Sequence, residues 1–263
     1  MSERPLVAFT LLAQIAVGAF LTLGAVLLSS GPVRAHPGAV ATLDGALLLV
    51  GAVMVAALAV SLRHLGSRRR AWQAVRNVRT SWLSREVLYA VLFAVGGAVV
   101  TVLRVTASGP VALRTVLAAG TALAGVALVH AMARVYRLRT LPAWDTPLTT
   151  VSFFATALLL GTLAVGTALV LMPDVPAGRF DGPLRGIAVA AAVGFLARLA
   201  GPGRGRPHAA RRALLAAGLL LVTATLVAGG RPPALLVAAF LLALASEVRG
   251  RYLFYVEGTR KLL

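Results

Sequence analysis

Eight long apolar runs, separated by short polar or turn-rich segments, form the main pattern of this sequence. A helix needs roughly 20 apolar residues to cross the hydrocarbon core of a bilayer, and the runs approach or exceed that length. All eight are rich in Ala, Leu, Val and Gly, and small residues allow membrane helices to approach each other closely. We therefore predict an all-α integral membrane protein, a compact bundle of about eight transmembrane helices. The predicted spans are residues 6–29, 41–62, 86–108, 111–133, 149–172, 183–200, 212–229 and 233–248.

The composition leaves few residues for a soluble domain beside the predicted spans. Apolar residues make up 59% of the 263 residues, charged residues make up 13%, and the mean hydropathy is +0.88. A soluble domain carries about 25% charged residues. We predict a single membrane-anchor domain over residues 1–263, with no separate water-soluble catalytic domain.

The formal charge of +18 has a topological explanation rather than a nucleic-acid one. The arginines lie at the ends of apolar runs, and aromatic residues are not interleaved with them as platforms on which bases could stack. With eight spans, twenty of the 26 Lys and Arg residues fall on the membrane side that holds both termini. Because cytoplasmic loops carry the excess of positive charge, we predict a multi-pass protein of the cell membrane with cytoplasmic N- and C-termini.

Polar residues near the spans are the candidates for chemistry, because polar groups in lipid are costly. His64 follows the second predicted span, and Glu86 begins the third. A tight connection would bring both to one membrane face, where a histidine and a carboxylate influence each other's pKa and can handle protons together. The alternative is structural: His64 would cap the end of one helix, and Glu86 would interact with the positive N-terminal end of the next. Spacing alone leaves both interpretations open.

Several short motifs carry a resemblance to a known family. His64-Leu65-Gly66-Ser67, followed by Ser84 and Glu86, resembles the membrane anchor subunit of the dimethyl sulfoxide reductase family of molybdoenzymes in both residues and spacing. The segment between about 173 and 232 matches that family least. Further matching motifs are Arg4-Pro5-Leu6, Phe9-Thr10, Gln14, Gly18-Ala19-Phe20, Arg70-Ala71, Leu113-Arg114-Thr115, Arg134-Val135-Tyr136, Pro142-Ala143-Trp144, Phe153-Phe154, Glu247, Gly250-Arg251 and Phe254-Tyr255.

The resemblance implies a role in anaerobic respiration as the quinol-oxidising anchor subunit of an oxidoreductase complex. Such an anchor binds menaquinol and passes its electrons to an iron–sulfur subunit, and from there they reach a molybdopterin catalytic subunit. His64 would be the base or hydrogen-bond acceptor for the quinol, and Glu86 would orient it or relay protons. Gln14, Arg63 and Trp82 are further candidates for quinol binding. Gln14 could instead hydrogen-bond only to another helix, and Arg63 and Trp82 could only anchor helix ends at the interface.

The implied cofactor of this protein is menaquinone or menaquinol, with no haem or metal of its own. The sequence has no cysteine for an iron–sulfur cluster, so these clusters and molybdopterin are expected in partner subunits. Alone, the protein would not catalyse the terminal reduction. The basic loops would form the surface on which the iron–sulfur subunit docks. Members of this family commonly dock their partners outside the cell, but the basic side of this protein favours the cytoplasm.

A haem-containing membrane cytochrome b is an alternative function. Haem needs axial ligands, and only His64 and His130 of the four histidines lie where they could face each other. We expect His130 instead to pack as a lone polar residue inside the bundle.

A small-solute transporter is a second alternative, and a purely structural anchor is a third. A transporter is expected to have polar or broken helices near the bilayer midplane. Here the acidic residues, including Glu247, are predicted to lie near helix ends, which favours an anchor.

Overall fold

The computed structural model describes residues 4–62, 77–137, 144–172, 180–201, 206–228 and 233–260, and these residues form nine α-helices and no strand. Eight of the helices are long and apolar enough to cross a membrane, and the four-residue helix α2 joins the first two of them. The prediction of an all-α membrane bundle is confirmed. The helices are α1 Arg4–Ser29, α2 Gly31–Arg34, α3 Pro37–Leu62, α4 Trp82–Val105, α5 Val111–Tyr136, α6 Pro147–Leu171, α7 Asp181–Ala200, α8 Arg206–Ala228 and α9 Pro233–Arg260.

Several helices extend beyond the spans predicted from hydropathy. Helix α3 begins at Pro37, because proline has no N–H to leave unpaired in the first turn of a helix. Helix α4 begins at Trp82, where the backbone N–H of Ser84 donates to the Ser81 hydroxyl at 3.3 Å and so caps the helix. Helix α9 continues to Arg260, well beyond the predicted end at 248. Polar first and last turns therefore belong to the helices although they lower the local hydropathy.

The spanning helices form two sets of four that are built alike. The first set contains α1, α3, α4 and α5, with α1 packed on α3 and α4 packed on α5. The second contains α6, α7, α8 and α9, with α6 packed on α7 and α8 packed on α9. The two sets meet mainly through α1 and α6, which therefore lie at the centre of the bundle.

Two glycines allow the central helices to touch backbone to backbone. A Cβ atom at Gly18 of α1 would lie 1.9 Å from the carbonyl oxygen of Ala157, and one at Gly161 of α6 would lie 2.2 Å from the carbonyl carbon of Gly18. Neither distance is possible for a real side chain. The small residues thus permit the close helix packing that the composition predicted.

The successive spans alternate in direction and give the bundle two ends. One end holds the starts of α1, α4, α6 and α8 and the ends of α3, α5, α7 and α9. We call it the basic face, because most of the arginines among the described residues belong to it. The other end, which holds the α4–α5 turn, is the opposite face.

Candidate functional site

Three of the five predicted quinol-binding residues lie among the described residues: Gln14, Trp82 and Glu86. Arg63 and His64 lie outside them, in the connection between α3 and α4. The three described residues all belong to the half of the bundle nearer the basic face.

Glu86 is buried inside the first four-helix set, with 6% of its surface exposed. It shares one face of α4 with Ala90 and Phe93, which are also buried. The Phe93 ring packs edge-on against Phe20 of α1 at 5.6 Å between centroids, and it fills the space beside Gly125 of α5. The face that carries Glu86 is therefore directed toward α1 and α5, not toward lipid.

The position of Glu86 weakens the structural interpretation of this carboxyl group. Helix α4 begins at Trp82, so Glu86 lies in its second turn, and the first turn contains no acidic residue. The favourable effect of a helix N-terminus on a carboxylate falls off within the first turn. Within the described residues, the Glu86 carboxyl has no hydrogen-bond or ion-pair partner. A buried carboxyl group without such support is costly, and groups of this kind are often retained for function.

Trp82 is held at the basic face by two guanidinium groups. The Cζ atoms of Arg85 and Arg134 lie 4.2 and 4.9 Å from the indole centroid. Arg85 Nε also donates to the carbonyl oxygen of Val78 at 2.7 Å, which ties the start of α4 to the preceding turn. These contacts fit the role of an interfacial anchor. A contact of Trp82 with quinol stays a prediction.

The expectation that His130 packs inside the bundle is wrong. Its side chain is exposed, and its ring lies edge-on to Trp82 at 5.6 Å between centroids. The helix rotation decides this outcome: Leu128, Val129, Ala131 and Met132 are fully buried, and His130 lies on the opposite side of α5.

Gln14 is fully buried and connects three helices. Its Nε2 atom donates to the carbonyl oxygen of Phe153 at 2.9 Å, and its Oε1 atom accepts from Arg251 Nη2 at 3.0 Å. The Arg251 guanidinium lies 3.9 Å above the Phe153 ring. Both ends of the carboxamide are therefore engaged, which links α1 to α6 and α9. Its predicted role in quinol binding remains untested.

A buried ion cluster lies in the second four-helix set, and we define it as Ser152, Thr156, Arg198, Arg211 and Glu247. Arg198 donates to both Glu247 carboxylate oxygens, with Nε–Oε1 at 2.8 Å and Nη2–Oε2 at 3.0 Å. Thr156 donates to Oε2 at 2.7 Å, and Arg198 Nη1 also donates to the Ser152 hydroxyl. Arg211 Nη2 lies 3.6 Å from Oε1, an ion pair too long for a hydrogen bond.

The hydropathy pattern does not predict this cluster. By that pattern Arg198 lies at the end of the predicted span 183–200 and Arg211 is a loop charge, but they are 8% and 4% exposed and face inward from α7 and α8. Glu247 does not lie near a helix end, because α9 continues to Arg260. A carboxylate so deep in a span requires a cationic partner. That requirement was the signal in the sequence from which a buried ion pair with Glu247 could have been predicted.

These features define a class of protein: a multi-pass membrane protein with eight helices long and apolar enough to span a membrane among the described residues, whose buried charged groups collect toward one basic face. The sequence profile of the DMSO reductase anchor subunit (DmsC) matches residues 1–193. The protein belongs to that family, as the resemblance implied, and is a membrane anchor subunit of it.

Three relatives show how far the similarity extends. A component of the anaerobic dimethyl sulfoxide reductase of Escherichia coli is 32% identical over 275 residues, which cover 96% of this sequence and 94% of that protein. The corresponding component of the anaerobic dimethyl sulfoxide reductase of Haemophilus influenzae is 32% identical over 169 residues, which cover 64% of this sequence and 59% of that protein. A component of the sulfite dehydrogenase of Allochromatium vinosum is 38% identical over 112 residues, or 38% of this sequence and 34% of the relative. No solved structure matches the protein.

Metal binding has no support among the described residues. In that part of the sequence, no three His, Asp or Glu side chains come close enough together to hold a metal ion.

Proposed function

We propose that the protein is the quinol-oxidising anchor of a three-subunit oxidoreductase complex, with residues 1–263 as a single membrane-anchor domain. Menaquinol binds between helices near Glu86 and His64, and its electrons pass to an iron–sulfur subunit docked on the basic face. The observation that carries this proposal is the Glu86 carboxyl: buried, directed into the bundle, and beyond the first turn of α4.

The chemistry of quinol oxidation explains the need for these two side chains. Oxidation releases two protons and two electrons, so the site requires a base beside a quinol oxygen and a path for protons to water. His64 lies in the connection before α4 and serves as the base or hydrogen-bond acceptor. Glu86 lies just inside the capped first turn and orients the quinol or relays its protons. Arg63, Trp82 and Gln14 support the same site.

The partners follow from the electron path. An iron–sulfur subunit accepts the electrons and a molybdopterin subunit reduces the terminal acceptor, so this protein needs no metal of its own. The basic face is complementary to an acidic docking surface. Both termini belong to that face and are cytoplasmic.

The test compares quinol-driven with dye-driven turnover in the assembled complex. Glu86→Gln and His64→Ala should lower menaquinol-analogue oxidation by about 100-fold, the scale of general acid–base catalysis, while a reduced dye still drives acceptor reduction. Val95→Ala is the matched control, because Val95 lies on the same helix but is 58% exposed. Quinol turnover that is unchanged in both site variants would show that no quinol site lies here.

A further inference from the structure

A long apolar groove runs along the junction of the two four-helix sets. It has a volume of about 1130 Å³ and lies between α5 and α7, with α1 and α6 as its floor. Its walls are mainly aliphatic, with Val17, Val129, Phe154 and Ile187 among them. Gly186 of α7 lines the groove, and a Cβ atom there would meet no atom within 4 Å. The groove is therefore open space, not tightly packed core.

The groove crosses nearly the whole hydrocarbon core. The close contact of Gly18 with Gly161 marks a common level on α1 and α6. Thr150 lines the groove eleven residues before Gly161, about 16 Å toward the basic face. Ser29 lines it eleven residues after Gly18, about 16 Å toward the opposite face. The sum of these two distances is close to the thickness of the hydrocarbon core of a bilayer, which is about 30 Å.

We propose that this groove holds the isoprenoid tail of a long-chain quinol, an inference that rests on the proposed function. The length of the groove favours an isoprenoid tail over an acyl chain as its occupant. An acyl chain of a phospholipid belongs to one leaflet and would fill only about half of the groove, whereas an isoprenoid tail is one continuous hydrocarbon that can cross both leaflets.

The ends of the groove fit an amphiphile whose head lies toward the basic face. The Thr150 hydroxyl, at that end, is buried and has no hydrogen-bond partner among the described residues, so it can bind a polar atom of a ligand. Val17 lies between the groove and the face of α4 that carries Glu86. It lines the groove and also contacts the space beside Gly125 that Phe93 fills, and Glu86 lies two helical turns from Phe93 on the same face of α4.

The test fills the groove without touching the proposed quinol site. Gly186→Leu introduces a side chain into the open groove. Gly51→Leu is the matched control, because Gly51 is also an exposed helical glycine with nothing within 4 Å of its Cβ position, but it lies on α3 away from the groove. Both substitutions improve helix propensity, so a difference between them reports on the groove.

Two readouts are needed, one of them independent of turnover. Mass spectrometry of lipids retained by the detergent-purified complex should detect isoprenoid quinone in the wild type and in G51L, and about tenfold less in G186L. G186L should also raise KM about tenfold for long-tailed menaquinol, but not for a quinol with the same ring and no tail.

The outcomes separate the two proposals. In one outcome the wild-type complex oxidises both quinols but retains only phospholipid, and G186L behaves like the wild type. That outcome overturns the proposal that the groove holds the isoprenoid tail, but it is consistent with the proposed quinol site. In the other outcome the wild-type complex retains quinone and G186L does not, but the wild-type complex oxidises neither quinol. That outcome supports the groove as the tail site and overturns the proposed function.

Discussion

Removing the charge of Glu247 should destabilise the second four-helix set strongly. Glu247 accepts two hydrogen bonds from Arg198 and one from Thr156, and its side chain is only 2% exposed. Glu247→Gln keeps the volume but leaves Arg198 and Arg211 beside an uncharged group in the interior. Loss of one partner of a buried ion pair costs about 3–5 kcal/mol, because the remaining charge stays desolvated. We expect a loss of that size in the free energy of unfolding.

A second ion pair provides the control for this prediction. Arg104 and Asp44 pair near the opposite face with Nε–Oδ1 at 2.5 Å, but their side chains are 19% and 15% exposed. Asp44→Asn should therefore cost less, about 1 kcal/mol. Unfolding of each variant in mixed micelles, followed by loss of helical circular dichroism, measures the difference. Equal destabilisation by the two substitutions would refute the idea that desolvation of the cluster sets its cost.

Three further predictions follow from packing and charge. Gly161→Ala should destabilise the bundle by about 1–3 kcal/mol or more, because its Cβ would lie 2.2 Å from the Gly18 backbone, whereas Gly51→Ala should have little effect on thermal unfolding. Trp82→Ala should lower the melting temperature more than Trp82→Phe, since phenylalanine retains a ring beneath Arg85 and Arg134; equal effects would argue against the cation–π contacts. A reporter fused to the C-terminus should be active only when it is a cytoplasmic reporter, and activity of a reporter that works only outside the cell would reverse the assigned topology.

The spanning helices were predictable because length and hydropathy alone identify them. Their ends were not, because caps and polar terminal turns lie outside an apolar run. The predicted third span began at residue 86, whereas α4 begins at Trp82 behind the Ser81 cap. That shift of one turn matters for the proposed function, since it moves Glu86 from the first turn into the second.

The inward or outward direction of single polar residues depends on helix rotation, which packing between distant helices decides. Arg211 is buried and Arg212 is exposed, although the two residues are adjacent and identical in type. Arg211 faces inward because Gly250 leaves room for it: a Cβ there would lie 2.5 Å from its Nε atom. The sequence indicates Gln14 as a candidate residue, but its partner Arg251 lies 237 residues away and no local pattern indicates that contact.

Direct binding of a quinol analogue tests the central claim without requiring electron transfer. A fluorescent analogue that occupies the quinol site without being oxidised can be titrated into membranes that contain the assembled complex. We predict saturable binding to the wild type and to Val95→Ala, with affinity at least about tenfold lower in Glu86→Gln, a loss of ~1.4 kcal/mol or more. Wild-type affinity in Glu86→Gln would contradict the assignment of the quinol site to this face of α4.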